Sequence, residues 1–212
     1  WLFPLAQASG EYDPPQPEPP AARNIRGEAA IAMPANTGEV LFEKNADELR
    51  PPASTTKVLT ALLALTMAKP EDIVTVSAYA ASLDPEQHSL IGLKEGEQLR
   101  MDDLIRATMV ASGNDGAIAI AEHISGSEPA FVALMNEAAA RYGCTRTHFA
   151  NSHGFHDEYH LTTARDLAII AREAVKLDSF REIALMTSFT LPETNLSKPR
   201  KLSSQARRLL NN

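Results

Sequence analysis

The chain is poor in cysteine. Cys144 is the only one among 212 residues, which rules out an internal disulfide and leaves no second thiol to share a metal. It lies in the turn-like stretch Tyr142-Gly143-Cys144-Thr145 and reads as a small, partly buried apolar side chain. Positive charge is also in deficit. With 20 Lys and Arg against 27 Asp and Glu, the net charge is −7 and the pI about 5.4, which argues against nucleic acid as a partner. Charge of this size serves solubility and says nothing about the fold. No apolar run is long enough to span a bilayer: the best, residues 58–68, is interrupted by threonines. No segment repeats. The remaining composition, 44% hydrophobic and 22% charged, is that of an ordinary globular protein, in a length that suits one domain or one domain with a small appendage.

The N-terminal residues differ from the rest. Residues 1–8, ending in the small-x-small pattern Ala6-Gln7-Ala8, fit the remnant of a secretory signal peptide; no initiator Met or basic region precedes them, and an apolar start without that role fits equally well. Residues 9–27 read as a linker. Asp13-Pro14-Pro15-Gln16-Pro17-Glu18-Pro19-Pro20 cannot build helical or sheet ladders, so an extended polyproline spacer is expected, whether as a membrane tether or as a tail.

The domain proper is expected over 28–212. Short apolar runs at 28–33 and 39–43, separated by the turn-rich Pro34-Ala35-Asn36-Thr37-Gly38, predict a hairpin. Arg50-Pro51-Pro52 leads into an apolar helix over 53–68, with proline at its start. From there to about residue 180 the chain reads as mainly helical, with apolar residues at helical spacing over 101–110, 115–124, 129–142 and 163–177. A further strand is expected at 188–191, and the chain closes on a basic, polar stretch.

Two short patterns carry chemistry. Ser54-Thr55-Thr56-Lys57 opens the apolar helix, where positions i and i+3 are neighbours, so the Ser54 hydroxyl and the Lys57 amine can meet. A serine needs a base to become a nucleophile. A lysine becomes a base when burial lowers its pKa, and the apolar residues after Lys57 suit that. A helix-capping serine and a snorkelling lysine account for the same four residues. The second pattern, Ser112-Gly113-Asn114-Asp115, sits in a turn between two helices and can present Ser112 and Asn114 to one cleft. There Ser112 can relay protons and Asn114 can hold a substrate amide, although an ordinary N-cap also explains it. His153, His156 and His160 lie in loop sequence, which favours a structural role over a metal site.

Ser-x-x-Lys followed by Ser-x-Asn belongs to the motif set of serine β-lactamases and penicillin-binding proteins. The surrounding residues resemble the low-molecular-mass D-alanyl-D-alanine carboxypeptidases in particular. They include Ala35-Asn36-Thr37-Gly38-Glu39-Val40-Leu41, Pro51-Pro52-Ala53-Ser54-Thr55-Thr56-Lys57, Leu93-Lys94-Glu95-Gly96-Glu97, Phe149-Ala150-Asn151-Ser152-His153-Gly154 and His160-Leu161-Thr162-Thr163-Ala164-Arg165-Asp166-Leu167-Ala168. The resemblance implies an α+β fold of the serine β-lactamase/DD-transpeptidase type, an antiparallel sheet flanked by helices with an inserted helical region, whose first two strands would be the hairpin.

It also implies an acyl-enzyme mechanism on peptidoglycan stem peptides. Ser54 would be the nucleophile, Lys57 the base, Ser112 a proton relay and Asn114 a substrate-binding residue, with no cofactor and no metal. β-Lactams would trap the same serine. An exported protein is implied, in the periplasm or on the outer face of the cytoplasmic membrane, with any membrane attachment through segments not present here. The family's third motif, Lys-Thr-Gly, does not occur: Lys44, Lys69, Lys94, Lys176, Lys198 and Lys201 are not followed by Thr-Gly. The expectation is therefore that the C-terminal strands of the fold, including that motif, are missing. A DD-endopeptidase, a β-lactamase of the same fold or a non-catalytic peptidoglycan-binding relative are the alternatives. The β-lactamase is the poorer of these, since no Glu-x-x-Leu-Asn segment is present.

Overall fold

A computed structural model describes residues 25–204. The signal-like residues 1–8, nearly all of the proline-rich linker and the terminal basic stretch lie outside the described residues. The helical core is built around α1, Lys57–Met67, whose Leu59, Ala61, Leu62, Leu63 and Ala64 are all buried. Nearly every side of this helix is apolar, so it is enclosed by others rather than laid on a surface. It packs against α3 (Met101–Ala111), α4 (Asn114–Ser125), α5 (Glu128–Arg141), α6 (Ala164–Ala174) and α7 (Asp178–Ala184). The α4 helix, with Ala117, Ile118, Ala119, Ile120 and Ala121 each at most 1% exposed, is the other central element of the core.

Among the described residues the strands form three antiparallel pairs. The expected hairpin is β1 (Ala30–Ala32) with β2 (Phe42–Lys44), in the register Ile31 to Glu43. A second pair, β3 (Ile73–Thr75) with β4 (Gln98–Arg100), lies inside the stretch expected to be mainly helical. Between these two strands runs a short helix, α2 (Ala78–Ala81), followed by an irregular segment. The third pair is β5 (Ser188–Leu191), at the expected position, with β6 (Arg200–Ser203), which the polar stretch had concealed. The α7 helix was not expected either. Glu97 joins two of the pairs. Fully buried, it accepts hydrogen bonds from Lys94 N, from Thr194 Oγ1 at 2.7 Å and from the guanidinium of Arg200 on β6.

One expected boundary needs correcting. Ser54 does not open an α-helix but sits in a 3₁₀ turn, Ala53–Thr56, and the α-helical bonding begins at Lys57. The turn opens on Ala53, whose φ of +49° is in the left-handed region that a side chain rarely adopts. The tighter winding brings Ser54 and Lys57 onto one edge, as three residues per turn requires.

Candidate active site

The site is a buried amine beneath an exposed hydroxyl. Ser54 is exposed, whereas Lys57 is only 2% exposed. The Lys57 Nζ lies 3.2 Å from Ser54 Oγ, 2.7 Å from Asn114 Oδ1 and 2.6 Å from the backbone carbonyl of His153. As an ammonium the group satisfies all three acceptors; as an amine it keeps two N–H bonds and turns a lone pair to the serine. Burial pulls its pKa from 10.5 to about 8, against an opposing pull from the negative charge of Asp115. Roughly a tenth of the molecules therefore hold a neutral Lys57 at pH 7, with its lone pair free to face Ser54 Oγ.

Asn114 reaches Lys57 because α4 starts at that residue. Ahead of it α3 ends on Ser112 at φ +56°, and Gly113 leaves no space beyond Ile91, whose Cγ1 lies 2.6 Å from where a Cβ would stand. Ser112 is half-buried, and its hydroxyl makes no hydrogen bond to Ser54, Lys57 or Asn114. The structure thus joins Ser54, Lys57 and Asn114 directly and places Ser112 two residues before the last. Asp115 is the anchor under this turn. Its carboxylate accepts from the backbone N–H groups of Ile91 at 3.0 Å, Gly92 at 2.9 Å and Leu93 at 3.0 Å, and from Gly116 N at 2.9 Å. Backbone donors in this number fix the position of the carboxylate at the base of the site.

The third wall is the loop 150–160, whose part in the site could not be read from side-chain patterns. Lys57 donates to the His153 carbonyl, and Thr60, one turn on, donates to that of Ser152 at 2.5 Å. Beneath the loop, buried Glu128 at the start of α5 accepts from Ser152 N at 2.9 Å and Ser152 Oγ at 2.6 Å. Ala150 N donates to Nδ1 of buried His160 at 3.0 Å, so the ring carries its proton on Nε2 and donates to Thr56 Oγ1 at 2.8 Å. Burial holds His160 neutral, with its pKa down to about 4. Burial does the same to His153, helped by Lys57 and the neighbouring histidines, down to about 3. Gly154, at φ +91°, lies directly on the 3₁₀ turn: a Cβ there would stand 1.9 Å from Ala53 O. Away from the site, Cys144 is 3% exposed with burial pushing its pKa up to about 12, an inert thiol.

A sequence profile described as D-alanyl-D-alanine carboxypeptidase matches residues 15–204. The chain belongs to the D-alanyl-D-alanine carboxypeptidase family. It is 39% identical over 156 residues to a D-alanyl-D-alanine carboxypeptidase of Bacillus subtilis, covering 71% of this chain and 39% of that protein. A D-alanyl-D-alanine carboxypeptidase of Escherichia coli is 37% identical over 165 residues, or 74% of this chain and 41% of that protein. The chain thus spans about two fifths of the length of these curated relatives. Among solved structures, a D-alanyl-D-alanine carboxypeptidase of Mycobacterium tuberculosis superposes with a TM-score of 0.78 at 29% identity, over 86% of this chain and 68% of that one. A mutant of the Streptomyces K15 DD-transpeptidase gives 0.76 at 28% identity, over 83% and 72%. The family's fold is therefore that of this chain, as the α+β expectation required.

Proposed function

We propose that the protein is a serine-type D-Ala-D-Ala carboxypeptidase that trims the terminal D-alanine from peptidoglycan stem peptides through an acyl-enzyme, and that β-lactams acylate the same residue. The observation that carries this is the pair of Ser54 and Lys57, an exposed hydroxyl 3.2 Å from an amine buried to 2% exposure with a pKa near 8. In the reaction, neutral Lys57 takes the Ser54 proton as Oγ attacks the carbonyl carbon of the last peptide bond. The proton then passes to the departing D-alanine amine, with Ser112 as relay, and water hydrolyses the ester. One N–H of the Asn114 amide remains to hold a substrate carbonyl, and the Ser54 N–H supplies one oxyanion donor.

Action on the cell wall assigns the protein to the periplasm or the outer face of the cytoplasmic membrane. Among the described residues no helix is long and apolar enough to cross a membrane, so any attachment would use other segments. The test is mass spectrometry of the intact protein after treatment with a penicillin. The adduct is expected on the peptide containing Ser54 and should vanish in Ser54→Ala. An adduct elsewhere, or one that survives the substitution, refutes the assignment.

A further inference from the structure

Asn114 is held from both ends, and the second holder is His88. The Asn114 Oδ1 accepts from Lys57 at 2.7 Å, while its Nδ2 lies 2.9 Å from His88 Nδ1. An amide nitrogen can only donate, so His88 Nδ1 is the acceptor and the ring bears its proton on Nε2. Turning the amide over would set its N–H groups against the Lys57 ammonium. The orientation that Lys57 uses is thus the one that a neutral His88 accepts.

The ring is itself fixed. It stacks on Phe155 with centroids 4.4 Å apart and meets His153 edge-on at 5.9 Å. Its backbone N–H donates to Asp84 O at 3.0 Å, and the next residue, Ser89, accepts from Asn114 N at 2.8 Å. Two residues beyond Ser89, Asp115 clasps Ile91, Gly92 and Leu93. The pinned backbone and the two ring contacts together hold the half-buried ring against Asn114. The titratable groups facing it are His153 from the loop and, behind Asn114, Lys57 from α1. On α4, the Asp115 carboxylate is committed to backbone amides, and the Asp84 residue contributes its carbonyl. None of these is a carboxylate bonded to the ring.

We propose that His88 is a positioning residue for Asn114, and that a proton on His88 Nδ1 releases the amide and so slows acylation in acid. The inference rests on the reaction proposed above. A protonated Nδ1 is a donor facing a donor, so the amide must turn or withdraw, and Lys57 loses an acceptor. A second positive charge also arrives one residue away from the amine.

The experiment measures acylation of the intact protein by a labelled penicillin from about pH 5 to about pH 9, for wild type, His88→Asn and His88→Leu. An asparagine oxygen occupies nearly the place of Nδ1 and accepts without titrating. His88→Asn is expected to recover most of the alkaline rate, with a log-rate slope in acid of about one per pH unit, from Lys57 alone; in wild type the slope should approach about two. His88→Leu, lacking an acceptor, should be slower at every pH by about tenfold. If His88→Leu does not fold, the slopes of wild type and His88→Asn carry the comparison. Superimposable profiles for those two overturn the inference. Equal rates for Asn and Leu variants overturn it as well. Absence of a Ser54 adduct in wild type at every pH overturns the proposed reaction instead, and this inference with it.

Discussion

Gly154→Ala tests how the site is assembled, because the added methyl group meets backbone rather than a movable side chain. Its Cβ would stand 1.9 Å from Ala53 O, 2.3 Å from Ala53 C and 3.0 Å from Ser54 N. An ordinary carbon–oxygen contact needs well over 3 Å, so loop and turn must separate by roughly 1 Å or more. Alanine at φ +91° adds backbone strain. Strain of about 1–3 kcal/mol corresponds to a melting temperature lower by roughly 3–10 °C in a domain of this size. Function should suffer more than stability. His153, the next residue back, gives its carbonyl to Lys57 at 2.6 Å, and Ser54 lies on the displaced turn. A shift of ~1 Å between reacting groups costs on the order of 10²-fold in rate. The assay pairs thermal melts with acylation rates for labelled penicillin in the intact protein. Gly143→Ala is the control: φ there is +83°, yet a Cβ meets nothing within 4 Å, so it carries the strain without the collision. If Gly154→Ala acylates like Gly143→Ala and melts no lower, close packing of this loop on the turn is not what aligns Ser54 with Lys57.

Three other outcomes are expected. Acylation should rise with pH through a midpoint near 8, because the reaction proposed above needs Lys57 as the neutral amine, and Lys57→Arg should lower it by orders of magnitude at every pH while the melt persists. Folded Lys57 releases its proton near 8 and the unfolded residue near 10.5, so the unfolded chain binds more protons in between. Stability should therefore increase with pH across that window, by up to roughly 3 kcal/mol, and denaturant titrations of Lys57→Met should lack the increase. Asp115→Asn leaves buried backbone donors without acceptors and should cost about 2–4 kcal/mol in chemical denaturation; by removing the charge that raises the Lys57 pKa, it should also move the acylation midpoint to lower pH.

What could be read from the sequence follows from the range of each interaction. Ser54 and Lys57 are three residues apart, and any helical winding makes them neighbours, so their meeting was legible although the turn proved 3₁₀. The long helices were legible for a similar reason, since apolar spacing over 11 or more residues is a strong signal. Strands β3 and β4 have three residues each, too few for alternation to register, and exist because they pair with each other. The part of His153 in the site is played by a main-chain carbonyl, which no residue type announces. His88 was invisible for another reason: a single histidine in a polar stretch acquires meaning only when Asn114 is placed against it.

The bonds that enclose Lys57 also set an order of events during synthesis. Its partners Asn114 and His153 lie 57 and 96 positions further along the chain, and Thr56 meets His160 after 104. A nascent chain that has exposed α1 but not yet the loop can form the helix and still has nowhere to bury a charged amine. The surroundings of Lys57 are thus completed only after the chain has grown 96 positions past it, when a long loop closes over a helix made much earlier. Until then Lys57 stays in water and charged, and Ser54 has no neutral amine beside it.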